Sequence, residues 1–287
     1  MQYQQTIAAE VVVIGQALHS GAPVSMRILP LPEDTGIFFR RSDLPGRPEI
    51  KAEVGNIIDT RKSMALGGNG WRIATIEHLM AVFHGLNIDN AMVEVDGDEL
   101  PRGDGSGRYF AERILAAGLV TQQTPRRYLR LVEPVWMEGT VSNRETPSKA
   151  MIIALPGDEL EICFTFTSDH RATGTQYFHF TLAENNFIKE IAPARTIAFT
   201  REIEYLRSQG LARSEDLNCA VIVGDDGYRN ELRFPEEIVR HKILDILGDL
   251  YLLGPLKAKI VAIRSGHSLD LELARKILNN TGIKVGI

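Results

Sequence analysis

Cysteine is almost missing: Cys163 and Cys219 are the only two in 287 residues. That is too few for a disulfide framework, and both stand in β-like apolar runs, where buried free thiols are the simpler reading. Long hydrophobic runs are also absent. No window approaches the roughly 20 apolar residues of a membrane span, and MQYQQTIAAEVVVIGQALHSG has no basic segment before its short apolar run, so cytoplasmic residence is expected. An excess of positive charge is lacking too. The net charge of −5, with both signs interspersed, provides no basic stripe for nucleic acid. What remains is a chain with 44% hydrophobic residues, long enough for one large domain or two ordinary ones.

The first third alternates short β-type runs (VVVIG, VSMRILPL, GIFFRR) with turns, then passes through a polar loop, DTRKSMALGGNG. A helix is expected to start near Thr75 and run through IEHLMAVFHGL before the strand-like NAMVEVDG. GRYFAERILAAG reads as a second helix. The polar TQQTPRR, with Pro125, marks a boundary, giving a first unit over 1–124 and a second over 125–287. LRLVEPVWM, KAMIIALP and ELEICFTFT are strand-like, IEYLRSQGL reads as a short helix, and IVRHKILDILGDLYLLG as a longer one.

The halves repeat one order. From His78 the chain runs helix, strand NAMVEV, turn RGDGSG, helix YFAERIL; from His241 it runs helix, strand AKIVAI, turn RSGHS, helix LELARKIL. This suggests two copies of one α+β unit, each a sheet with helices on one face, so that the helix layers pack together and bring His78 near His241.

His241, Asp245 and Asp249 recur every four residues and share one helix face. A solvated stripe is one reading. The apolar flanks favour burial instead, and buried carboxylates need partners. A metal supplies one: His and Asp at i, i+4 offer two ligands, and a third must come from elsewhere. Of the seven histidines, His78 has the strongest claim, because Glu77 beside it brings a general base for metal-assisted hydrolysis. His267, in RSGHSLD, is either a solvated loop residue or an imidazolium held by Asp249 that protonates a leaving amine. RGDGSG lacks the spacing of a phosphate loop and reads as a tight turn with Ser106 capping the next helix.

TIEHLM (75–80), ARTIAFTREIEYLRSQGLA (194–212), HKILDILGDLYLLG (241–254) and SGH (265–267), with LHSG, DTGIFFRR, IDNAMVEVDG and DGS, together resemble one family. It is that of the zinc-dependent UDP-3-O-acyl-N-acetylglucosamine deacetylases of bacterial lipid A synthesis. The resemblance implies an α+β fold of two repeated two-layer units with helix layers facing each other and the metal between them. It implies His78, His241 and Asp245 as zinc ligands, Glu77 as general base, and His267 as general acid oriented by Asp249. Thr196 would help hold the oxyanion, and Lys242 would contact the UDP-linked acylated amino-sugar substrate. The reaction implied is hydrolysis of the N-acetyl group, with an apolar acyl passage from an insert around 194–222. Zinc is the expected cofactor, although iron(II) suits the same ligands, and a monomer is expected.

The chain departs from the family pattern at Arg213, Ser214, Glu215 and Asp216, at Ile197 after Arg-Thr, and in KSMALGGNG. Two rivals therefore stay open: the same chemistry on another N-acyl sugar, and a non-catalytic protein whose polar stripe only specifies packing.

Overall fold

The computed structural model describes residues 2–141, 148–183, 185–200, 217–280 and 283–286. Period-two burial sets the sheet faces. Pro23–Pro30 buries Val24, Met26 and Ile28, and Leu256–Ile263 buries Leu256, Ala258, Ile260 and Ala262, because alternate strand residues point to opposite faces.

The first sheet runs Val11–Gln16, Pro23–Pro30, Ala91–Val95, Ile37–Arg41, Glu49–Lys51; its successive pairings are antiparallel, antiparallel, parallel, antiparallel. The second runs Val135–Val141, Ser148–Pro156, Leu256–Ile263, Glu161–Thr167, Thr175–Thr181 with the same four pairings in the same order. A further antiparallel pair accompanies each: Tyr3–Ile7 with Leu119–Pro125 as a separate ladder, and Tyr128–Leu131 with Ile283–Gly286, which joins the second sheet because Tyr128–Leu131 also pairs parallel with Leu256–Ile263. The repeat thus extends to strand order, and the architecture is α+β. Leu119–Pro125 takes in most of the polar boundary segment, because its backbone is claimed by Tyr3–Ile7. Among the described residues every ladder lies wholly before or wholly after residues 126–127, and on that ground we propose the two-unit division of 1–124 and 125–287, with Pro125, which pairs with Tyr3, moved to the first unit.

Among the described residues four α-helices complete the layers: α1 (Glu77–Gly85), α2 (Arg108–Ala117), α3 (Glu237–Leu250) and α4 (His267–Leu278). Every residue of α1 is buried, as is every residue of α3 except Arg240 and Lys242. Helices apolar nearly all round belong inside a protein, and these two lie against each other between the sheets. Phe83, Ile243, Leu244 and Leu247 are fully buried there, and each such side chain stabilises the fold by about 1.5–3 kcal/mol. Gly248 permits the close approach: a Cβ on it would fall 2.0 Å from the Glu77 carbonyl oxygen.

Polar ties lock the same seam. Arg126 is 2% exposed; its Nε donates to Asp89 Oδ1 at 2.8 Å and its Nη2 to the Tyr251 hydroxyl at 3.1 Å. Tyr251 in turn donates to the Ile88 carbonyl at 2.8 Å.

Two local expectations shift. α1 begins at Glu77, not Thr75, because Thr75 takes φ +59°, outside the right-handed helical region. Part of the polar loop is a hairpin, Ala65–Gly68 with Trp71–Ala74, turned by Asn69 and Gly70 at φ +51° and +84°, the conformation an Asn-Gly turn favours. Cys163 is half-buried in its strand and Cys219 is buried at the end of a one-turn helix, Leu217–Cys219; no disulfide joins them. No helix among the described residues is long and apolar enough to cross a membrane.

Candidate metal centre

His78 comes from the first turn of α1, His241 and Asp245 from successive turns of α3, and all three are buried. One ligand atom from each lies within 4.8 Å of the other two. The Nε2 atoms of His241 and His78 stand 3.3 and 3.8 Å from Asp245 Oδ1. Ligands held at about 2.0–2.2 Å around one tetrahedral ion are roughly 3.4 Å apart, so the set has the span of a metal site. Its chemistry agrees. Asp245 Oδ1 is buried without a hydrogen-bond partner among the described residues, the state of an acceptor that awaits a cation. His241 Nδ1 donates to the Ala194 carbonyl at 3.0 Å, which leaves the Nε2 lone pair free.

Electrostatics favour the ligating protonation states. Burial, then the neighbouring His241, holds His78 down at about 3, and burial lowers His241 as well, so both imidazoles are neutral. Burial raises Asp245, but Lys242 and then the histidines outweigh it and keep the carboxyl far below its usual range. Lys242 Nζ donates to Asp245 Oδ2 at 2.6 Å.

Glu77 lies beside this set, 3% exposed, with Oε2 accepting the Met64 backbone N–H at 3.0 Å. Burial, helped by the charges of Asp245 and Asp249, pushes its carboxyl up to about 7 against the pull of His267. His267 Nδ1 donates to Asp249 Oδ2 at 2.7 Å. Burial lowers the imidazole, yet Asp249 above all raises it to about 10, so His267 is an imidazolium at neutral pH. The solvated reading of this histidine therefore fails, as does that of the stripe: His241, Asp245 and Asp249 are each at most 3% exposed.

Thr196 is half-buried, two residues beyond the carbonyl that orients His241. Its N–H donates to the Gly105 carbonyl at 3.1 Å and its own carbonyl accepts from Val221 at 2.7 Å. Gly105, at φ +76°, presses so closely on Cys219 that a Cβ would meet its carbonyl oxygen at 1.6 Å. RGDGSG is thus a buttress between the halves, helped by Arg233 Nη1 at 2.9 Å from Asp104 Oδ2. Ser106 accepts the Arg108 N–H at 3.3 Å, although Gly107 occupies the N-cap position of α2. Next to Thr196, buried Arg195 donates through Nε to buried Glu237 at 2.8 Å. Residues 201–216 lie outside the described residues, and with them Arg213, Ser214, Glu215, Asp216 and the short helix expected at IEYLRSQGL.

Several participants leave little trace in sequence. Met64 acts through its backbone, and Ala194 through its carbonyl. Thr75, held at positive φ just before α1, donates to Glu99 Oε1 at 2.8 Å, and Glu99 lies 2.6 Å from His19 Nδ1. Asp270, buried three residues after His267, had a usable signal, since i, i+3 places both on one helix face.

A family model described as UDP-3-O-acyl N-acetylglycosamine deacetylase matches residues 4–279. Proteins named UDP-3-O-acyl-N-acetylglucosamine deacetylase are similar over nearly the whole chain. That of Bdellovibrio bacteriovorus is 39% identical over 280 residues, 96% of this chain and 90% of its own. That of Chlamydia abortus is 42% identical over 279 residues, 96% of each. That of Chromobacterium violaceum is 39% identical over 285 residues, 97% of this chain and 91% of its own.

Proposed function

This chain belongs to the UDP-3-O-acyl-N-acetylglucosamine deacetylase family, and from that premise we propose how its buried polar cluster hydrolyses the N-acetyl amide of the UDP-linked, acylated sugar. The enzyme releases acetate and leaves a free amine, a step of lipid A synthesis. The observation that carries the mechanism is the convergence of His78, His241 and Asp245, with Glu77 and His267 beside them.

His78, His241 and Asp245 hold one divalent ion, zinc in our reading, with iron(II) suited to the same donors. When bound, such an ion supplies Lewis acidity, polarising the acetamide carbonyl and making water acidic enough to lose a proton near neutral pH. Glu77 takes that proton. Its carboxyl, near 7, suits a base working at neutral pH, and the Met64 N–H fixes one oxygen so that the other meets the water. The Thr196 hydroxyl donates to the oxygen that gains negative charge as the carbonyl carbon becomes tetrahedral.

His267 then gives a proton to the departing amine. Asp249 occupies Nδ1, so the proton transferred is the one on Nε2, and the carboxylate stabilises the imidazolium until transfer. Lys242, 20% exposed in its side chain, keeps its ammonium at the rim of the site, where it contacts the sugar or its phosphates. We take the protein to be cytoplasmic, where two cysteines outside any disulfide are in keeping with a reducing compartment, and to act as a monomer.

The direct test supplies metal-loaded protein with UDP-N-acetylglucosamine, either 3-O-acylated or not, and follows acetate. Release from the acylated sugar alone is the expected result. Release from neither sugar would refute the substrate assignment.

A further inference from the structure

Asp270 stands in the first turn of α4, three residues after His267, and is 1% exposed. Its Oδ1 accepts the Ser265 hydroxyl, while its Oδ2 is buried with no hydrogen-bond partner among the described residues. Asp249 is in the same condition. It is 0% exposed, its Oδ2 is taken by His267, and its Oδ1 is likewise unpartnered. Asp249 thus holds the imidazole, and a second buried carboxyl group, also with one idle oxygen, stands three residues along the same helix as His267. A buried oxygen left unsatisfied is destabilising, and two neighbouring carboxylates in a dry site resist ionising together. A single proton resolves both difficulties.

We propose that Asp270 is a positioning residue: it works as a neutral carboxylic acid and donates to Asp249 Oδ1, so that one negative charge, fixed in direction, faces His267. This rests on the reading of His267 as the proton donor. Facing Asp270 are Asp249 and Lys242 from α3, and Ser265 and His267 from its own turn; Glu77 of α1 and Asp245 of α3 act on His267. The strands under α4 contribute buried apolar side chains, among them Val135, Ala150 and Ile152. Burial first, then Asp249, pushes the Asp270 carboxyl up to about 7, with Ser265, Lys242 and His267 opposing. The proton is thus present below neutrality and lost above it. Once it is lost, the hydrogen bond to Asp249 is gone and a second anion stands behind His267, which then releases its own proton less readily.

The test compares wild-type holoenzyme with D270N, whose amide donates like the acid but never ionises, and with D270A, which cannot donate. D270A should lower kcat about 10- to 100-fold with little change in KM, the range for removal of a group that orients another. D270N should recover most of that loss and move the basic limb of the kcat profile upward by about one pH unit. Infrared spectra decide independently of activity. The wild-type minus D270N difference should contain a protonated-carboxyl stretch at mildly acidic pH that fades as pH rises through neutrality, in metal-free as in loaded protein. Absence of that band overturns the proposal, as does D270A turning over like wild type, or D270N being as slow as D270A with an unshifted limb. H267A separates the two readings. If it stays fully active, the donor role of His267 fails, whereas its inactivity beside an unaffected D270A defeats the role of Asp270 alone.

Discussion

Gly248 of α3 lies against the backbone of Glu77 of α1, with room for a hydrogen and none for a methyl group: a Cβ would stand 2.0 Å from the Glu77 carbonyl oxygen and 3.1 Å from the Ala81 nitrogen. The residue assigned as base is therefore positioned by a glycine with no chemistry of its own. Gly248→Ala should force the helices apart and destabilise the fold by about 1–3 kcal/mol, the usual range for overpacking. Turnover should fall further than stability accounts for, because Glu77 shifts relative to His241 and Asp245. Thermal unfolding and kcat measured on the same preparation check this; an unchanged melting temperature would show that the helices separate without penalty.

Glu77 is not among the three converging ligands, so metal content and activity should part company when it is changed. Glu77→Ala should keep about one ion per chain by elemental analysis while kcat drops roughly 10²- to 10⁴-fold, the range for removal of a general base. Near-wild-type turnover would exclude the role.

Asp245 should behave in the opposite way. Asp245→Ala removes the ligand carboxylate and strands Lys242, whose ammonium rests on it at 2.6 Å. Metal affinity should fall by about tenfold at the least, with activity following it. Competition with a chelator measures the loss, and retained affinity would move the metal elsewhere.

His84, near the far end of α1, should make the fold sensitive to acid. Its ring stacks on Tyr251 with centroids 4.3 Å apart and Nδ1 donates to the Leu247 carbonyl at 2.9 Å. Burial, only partly offset by that hydrogen bond, holds it at about 3, below the ordinary 6.5. Between these values the unfolded chain binds a proton that the folded chain refuses. The contribution of His84 is thus fully present above about 6.5 and is lost as pH falls toward 3, by a few kcal/mol. His84→Gln should flatten that decline in chemical denaturation across the acid range, and an identical slope would assign the sensitivity to other groups.

Much of this was legible in the sequence because it was periodic or paired. Four-residue spacing put His241, Asp245 and Asp249 on one face, and the helix–strand–turn–helix order repeated from His78 to His241 brought His78 forward as the third candidate ligand. The backbone contributions were not legible. The Met64 N–H and the Ala194 carbonyl carry no side-chain signature, and Thr75, at positive φ, bonds to Glu99, which is distant in sequence. The Asn-Gly hairpin was missed because its strands read as a polar loop, although the turn residues were present in GGNGW. Asp270 stands outside the four-residue spacing and the repeat, and its only sequence signal is the i, i+3 relation to His267.

The seam between α1 and α3 also has a kinetic meaning. His84 of one helix bonds to Leu247 of the other across 163 residues of chain, and His78 and His241 are separated by as much. Such contacts require a very large loop to close before they return any stability, so they belong to the slow, late part of folding. The candidate ligand cluster needs both halves in place, since His78 lies on α1 and His241 and Asp245 on α3. Metal uptake should therefore follow docking on the folding pathway, and a nascent chain still lacking α3 presents His78 alone, too poor a site to capture an ion prematurely.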